Sequence, residues 1–175
     1  MSIFRKIFAD QKGVAATELA FVMPVLMGLI YGVVELGNAL LLDRKVTAAI
    51  QTAADLVAQE RAMDTTAVNE IFDAMDRIIA PYSPDAASYV ISSVIMTPQG
   101  QTEVDWSDAR GSAAGTPGAA MAVPPGLVIE GDSVIVAEVS YNFDPILGDT
   151  LVSGFTISDA AYLKPRKVRI VTREN

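Results

Sequence analysis

Between Leu19 and Val34 the chain carries no charged side chain, and apolar residues continue on either side, from Val14 through Leu42. Read as one helix, that stretch is about 43 Å long at about 1.5 Å per residue, against a bilayer hydrocarbon core of about 30 Å. A run of this length and character folds as a membrane-spanning helix before any other constraint acts on the chain. The flanks orient it. Arg5, Lys6 and Lys12 precede the span against a single acid, Asp10, whereas residues 43–163 carry five basic and seventeen acidic side chains, a net of −12. Positive charge stays on the cytoplasmic side, so residues 1–12 are expected in the cytoplasm and the acidic bulk on the far side, the periplasm of a bacterial cell.

What remains outside the span, about 130 residues, suffices for one folded head. With no cysteine, the chain has neither disulfides nor thiolate metal sites, and with no histidine it lacks the usual general base and the commonest metal ligand. An acidic head repels phosphate backbones, which argues against nucleic acid as a partner. The sign reverses once more near the end, at Lys164, Arg166, Lys167, Arg169 and Arg173.

Two carboxylates, Glu18 and Glu35, sit in the apolar stretch "KGVAATELAFVMPVLMGLIYGVVELGNALLL". Three readings compete for the segment. A cleaved secretory signal peptide requires a short apolar run and a small-residue cleavage site at its end, and this run is too long and lacks the site. An ordinary signal anchor accounts for length and charge but leaves Glu18 unexplained. The third takes Gly13 and Glu18 together. The stretch resembles type IV prepilins, whose short basic leader ends in Gly and whose mature chain carries Glu at its fifth position. By that resemblance "MSIFRKIFADQKG" is the leader, cleavage falls between Gly13 and Val14, and Glu18 is the fifth residue.

Physical chemistry gives the spacing a purpose. Cleavage creates an α-ammonium at Val14, and in a helix Glu18 lies four residues on, on the same face. An ionisable group in the apolar region costs about 2.5–3.5 kcal/mol at the bilayer centre and less near the interface. Pairing with an N-terminal amine, in its own chain or a packed neighbour's, recovers part of that cost and fixes the axial register of subunits. Farther along, Gly28 and Gly32 form a G-x-x-x-G pair that lets another helix approach closely. Pro24 removes the hydrogen bond to the carbonyl of Ala20 and is expected to bend or loosen the helix. Glu35 and Asn38 are expected at the outer interface, solvated by nearby water or in contact with another subunit.

Taken at greater length, "DQKGVAATELAFVMPVLMGLIYGVVELGNALLLDRKVTAAIQTAADLVA" resembles the TadE-like proteins of the Tad (Flp) pilus system. Gly13, Ala16, Glu18, Leu19, Ala20, Pro24, Gly32, Glu35, Leu36 and Gly37 stand in matching places, with Leu19 where the family usually has an aromatic residue. Near the end, "VAEVSYNFDPILGD" followed by "YLKPRKVRI" resembles the family's late strand pair. The resemblance implies a minor pilin or pseudopilin with a pilin-like α+β fold. It also implies processing by a prepilin peptidase and assembly with other pilins or pseudopilins.

Beyond Leu42 the periodicity stays helical. Val46, Ala49, Ile50, Ala53, Leu56 and Val57 recur at three- and four-residue steps, and Val68, Ile71, Phe72, Met75, Ile78 and Ile79 do so again. The anchor is therefore expected to continue as a stalk helix, with "MDTT" supplying the cap of a second helix that stops near Pro81. After Pro84 the pattern turns strand-like: "ASYVISSVIMT" and "QTEVDW" form a hairpin about Pro98, Gln99 and Gly100. The Gly, Ala and Pro-rich stretch at about 107–126 is longer than a turn and reads as a mobile surface loop or a partner contact. In "DSVIVAEVSYNF", Ile135, Ala137, Val139, Tyr141 and Phe143 form the more continuous apolar face. The pair "FTISDAAYL" and "KVRIVT" is expected to complete an antiparallel sheet, which puts the basic cluster on a terminal edge strand. There Lys164, Arg166, Lys167 and Arg169 either guard the edge or contact acidic partners.

The expected architecture is thus α+β: a leader at 1–13, a membrane helix at 14–42, a stalk and second helix at 43–80, and an antiparallel head of about four or five strands at 81–175. Asp105 and Asp108 flank Trp106 and are read as solvated surface acids, since pairs of carboxylates arise by chance in so acidic a segment. No catalytic residue, cofactor, metal or small-molecule substrate is expected. The functional reading is a structural part of Tad pilus biogenesis, in the inner membrane with its head in the periplasm, the pilus or cell surface being the second location open to it. The alternative is an uncleaved bitopic envelope protein whose head binds a ligand or partner.

Overall fold

The computed structural model describes residues 13–145 and 153–174. Of the leader expected at residues 1–13, all but Gly13 lies outside them. The chain divides into two compact units, one ending at Ala39 and one beginning at Leu40.

Helix α1, Val14–Ala58, runs through the unit boundary without interruption, and Pro24 stands inside it. In the first unit nearly every side chain from Val14 to Val34 is exposed. The helix is apolar and long enough to cross a membrane, and only 6 % of its most apolar 18-residue window is buried within the protein. Its apolar surface is therefore not consumed by a core of its own.

The second unit begins differently. Leu42, at the end of the span expected from hydropathy, is fully buried, and Val46, Ala49, Ile50, Ala53, Ala54 and Val57 follow on the same side. Leu56, expected in that stripe, is 39 % exposed and flanks it instead. Asp64 caps the next helix, its carboxylate accepting from the Ala67 amide at 2.7 Å, and α2 then spans Thr65–Ile79. Val68, Ile71, Phe72, Met75 and Ile79 make its buried face. Lys45 of α1 donates to the carbonyl oxygens of Ile78 at 3.0 Å and Ala80 at 2.7 Å, so acceptors left open where α2 ends receive a cation. Between the helices lies a two-residue strand, β1 (Ala62–Met63).

Four long strands follow: β2 (Ala87–Met96), β3 (Thr102–Arg110), β4 (Ser133–Phe143) and β5 (Phe155–Leu163). They form one antiparallel sheet in the order β3-β2-β4-β5. Its inner face carries Tyr89, Ile91, Ile135, Ala137 and Val139. Phe72 of α2 stacks on Tyr89 with ring centroids 6.0 Å apart, while Thr47 of α1 donates to Asp159 at 2.8 Å. The hairpin of β2 and β3 closes as the sequence reading expects.

Register changes once, where Ser93 pairs with Trp106 but Val94 pairs with Val104. Asp105 is the extra residue, a β-bulge. Its effect is to send Val104 to the outer face and Trp106 to the inner one, although the two are separated by a single residue and would share a face in a regular strand.

Two expectations about the head require correction. First, the Gly, Ala and Pro-rich stretch is fastened down. β3 extends to Arg110, so the loop starts later than expected, and it then returns along the free edge of β3. The amides of Gly118 and Met121 donate to the carbonyls of Val104 (2.8 Å) and Thr102 (3.1 Å), and the Val104 amide donates to Ala119 (2.9 Å). Met121 and Val123 also pack on a second apolar cluster, Val94, Val128, Val134 and Val136, on the outer face. The loop thus covers a sheet edge and shields valines that alternation alone would leave in water.

Second, "KVRIVT" does not join the main sheet. Only Thr172–Arg173, strand β6, is extended and paired, and it pairs in parallel with β1. The segment before it is irregular because its backbone groups bond one after another to separate elements. The Arg166 amide donates to Ala58 at 2.8 Å, and the Arg169 carbonyl accepts from Ser133 at 2.8 Å. Lys164, Arg166, Lys167 and Arg169 therefore do not lie on an edge strand.

Candidate functional site: the apolar helix and the basic segment

Gly13 is exposed immediately before α1, and Val14 is the first residue of that helix. Thr17 donates its hydroxyl to the Val14 carbonyl at 2.8 Å, a bond within the first turn. Glu18 follows on the next turn and is exposed. Helical geometry puts positions 14 and 18 on one face of α1, one turn apart.

Gly28 and Gly32 are both exposed, and a methyl group built on either meets nothing within 4 Å. Their shared face is open. A helix backbone can approach it without displacing any side chain of this chain, which is what small residues at this spacing permit. Large apolar neighbours, among them Leu29 at 63 %, Ile30 at 66 % and Val33 at 72 %, are likewise exposed.

Glu35 departs from the expectation of interfacial solvation. It is only 5 % exposed, and Tyr31, one turn earlier, donates its phenol to the carboxylate at 2.8 Å. The i, i+4 spacing of Tyr31 and Glu35 is readable in the sequence. The burial is not, because apolar residues surround Glu35 on both sides of the chain and any of them can face lipid.

The basic segment is engaged with aspartates. Arg166 forms an ion pair with Asp55 of α1, Arg169 with Asp132 at 2.6 Å, and Arg173 with Asp108 at 2.8 Å. Lys164 and Lys167 are exposed, and among the described residues neither has an ion pair. A parallel arrangement holds α2 to β3, where Arg110 reaches Asp73 at 2.7 Å and Asp76 at 3.0 Å and lies 5.1 Å over the ring of Phe72. Tyr89 donates to Asp76 at 2.7 Å, and burial first, then that bond, raises its phenol pKa, so it stays a neutral donor.

Asp105 and Asp108 do not behave as a pair of surface acids. Asp108 accepts two bonds from the Arg173 guanidinium, whereas Asp105 occupies the bulge, where burial raises its carboxyl pKa. Trp106 between them is buried and donates its indole N–H to the Val171 carbonyl at 2.7 Å. Asp108 and Trp106 therefore serve the closure of the head, while Asp105 makes the bulge between the two faces of β3.

Searches among curated proteins and among solved structures found no match. Over residues 13–55, from the glycine before α1 almost to the end of that helix, the chain matches the family of TadE-like proteins.

Proposed function

We propose that the chain is a minor pilin or pseudopilin of Tad pilus assembly, a structural component and not an enzyme. A prepilin peptidase cleaves it after Gly13, and it works from the inner membrane with its N-terminus cytoplasmic and its head periplasmic. The observation that carries this reading is the family match at residues 13–55, which takes in an apolar stretch of α1 long enough to cross a membrane and almost wholly unburied by the protein itself. A helix of that kind needs lipid or other helices around it.

Within this reading the α-ammonium of Val14 and the carboxylate of Glu18 set the register of one subunit against the next. Both are charged and both enter the apolar layer, so each copy is driven to satisfy the other's charge at one axial offset. The open face at Gly28 and Gly32 then permits close packing, and Pro24 leaves the Ala20 carbonyl free to bond elsewhere. Other pilins or pseudopilins are the partners for these contacts.

Intact mass of the membrane-purified protein tests the reading. In cells with the cognate peptidase the chain is expected to begin at Val14, and at Met1 in cells without it. A chain that keeps its leader in both strains is an uncleaved bitopic protein, and the pseudopilin reading falls. Glu18→Ala refines the test: normal cleavage and insertion with lost assembly is expected, and normal assembly removes the registration role.

A further inference from the structure

Among the described residues the loop covers only part of the outer face of the main sheet. Around Val94, Val134 and Val136 the loop packs on it, but toward the other ends of the strands a groove of about 580 Å³ remains, lined by Ser88, Val90, Glu138, Ser140, Ser158 and Ala160 among others. No aromatic ring lines it. Its lining is small side chains and serine hydroxyls together with the half-buried Glu138. Among the described residues that carboxylate has no hydrogen bond or ion pair, whereas the other acid at the groove, Asp159, is occupied by the Thr47 hydroxyl. A groove lined by hydroxyls, small apolar side chains and one unengaged carboxylate suits an alkyl stem ending in an ammonium, which has three donors to satisfy.

The complementary group is on the same head. Residues 43–163 are strongly acidic, and Lys45, Arg110, Arg166, Arg169 and Arg173 are all engaged internally. Lys164 and Lys167, exposed and without an ion pair among the described residues, are not; Arg44, Arg61 and Arg77 are likewise exposed without an ion pair among the described residues, but each ends in a planar guanidinium fork and not an ammonium. Lys164 directly follows β5, the strand whose Ala160 is registered against Glu138. Four residues along a strand is about 13 Å, so Lys164, just past the end of β5, is set apart from the groove of its own copy.

We propose that Lys164 and Lys167 of one copy dock in the Glu138 groove of a second copy. The two halves of the contact are different patches, which makes it heterologous. Each copy that offers a lysine to one neighbour still holds an empty groove for another, so the contact propagates as a row instead of closing a pair. This contact rests on the reading that copies of the chain assemble through α1, and it adds what the heads do once the helices are together. Lying at the surface, it weakens as salt rises.

The chain lacks cysteine, so engineered thiols report contacts without background. Two tagged full-length copies are expressed together in native membranes, one carrying Ser158→Cys in the groove wall and the other Lys164→Cys, with Glu138 and Lys167 retained. Mild oxidation is expected to give a mixed disulfide carrying both tags. Glu138→Lys in the groove copy lowers its yield about fivefold, and Lys167→Glu in the other copy restores it. Yield no higher than with Thr66→Cys in place of Lys164→Cys, a failed rescue, or a disulfide formed only with another protein overturns the proposal. In the same membranes a Leu29→Cys self-disulfide reads association through α1. If it forms and the head disulfide does not, the head contact falls while the assembly reading stands. If neither forms, both fall.

Discussion

Replacing Arg173 with alanine is expected to loosen the head at a place that reports on itself. Its guanidinium holds Asp108 with two bonds, at 2.8 and 3.3 Å, donates to the Met63 carbonyl at 3.1 Å and to the Thr65 hydroxyl at 3.0 Å, and also reaches the Glu174 carbonyl. The side chains of Arg173 and Asp108 are 20 % and 26 % exposed, so the pair lies between a surface ion pair, worth about 0–1 kcal/mol, and a fully buried one, whose breaking costs about 3–5 kcal/mol. Water reaches both groups, which discounts the buried figure, and about 2 kcal/mol is the expected loss. Arg173→Lys keeps the charge but not the fork and is expected to lose about half as much. Trp106 is the chain's single tryptophan and bonds to Val171 two residues away from Arg173, so its fluorescence senses the same closure. Urea unfolding of the full chain in detergent micelles, followed by Trp106 emission, measures the change. In a double-mutant cycle with Asp108→Ala the two losses are expected to couple by about 1 kcal/mol. Strict additivity, or an unchanged midpoint for Arg173→Ala, refutes the idea that this bidentate pair closes the head.

Three further outcomes are expected. For Asp105 the folded-state pKa is raised by burial, so the folded head binds the proton more tightly and stability falls as pH rises from the ordinary carboxyl value of 3.8 through the raised one. Asp105→Asn should therefore raise the melting temperature at pH 7, with the gain disappearing below that window, and a gain independent of pH would point to another cause. Ser93 is fully buried with no hydrogen-bond partner for its hydroxyl among the described residues, so Ser93→Ala should be neutral or stabilise by up to about 1 kcal/mol in the same urea assay. Gly111 and Gly118 both adopt positive φ, at 78° and 79°, but a Cβ at Gly111 lies 2.7 Å from the Ala87 carbonyl oxygen while one at Gly118 meets nothing. Gly118→Ala should cost about 1 kcal/mol and Gly111→Ala clearly more, and equal losses would mean that the backbone near Ala87 gives way.

Features with a local period or a local cap were legible in the sequence. The anchor was visible in uncharged length, the second helix in the step from Asp64 to Ala67 and its apolar stripe, and the hairpin in two β-rich runs about Gly100. What escaped depends on partners distant in the chain. "KVRIVT" has the composition of a strand, yet of its residues only the last, Thr172, pairs, because the backbone before it is spent on Ala58 and Ser133. The matching strand, Ala62–Met63, is too short to show any period. Asp105 alternates innocently with its neighbours, and only the register reveals it as a bulge. The outer valines of β4 were visible, but their cover was not, since Met121 and Val123 sit in a stretch whose glycines and prolines suggest mobility. In the candidate site, Gly13, Glu18, Gly28 and Gly32 were legible because their chemistry depends on spacing along one helix. The burial of Glu35 depends on three-dimensional surroundings and left no local sign.

The parallel pair of β1 and β6 has a consequence in time. Met63 and Arg173 are 110 residues apart, and at roughly 5–20 residues per second that separation is about 5–20 s of synthesis. Throughout that interval the Met63 carbonyl lacks its partner, and for the later part of it Trp106 and Asp108 wait as well. What has emerged by then is a long run of negative charge, which keeps neighbouring nascent chains apart. The arginines that arrive last bring the neutralising charge with them, so the signal to close the head is carried by the residues that complete it.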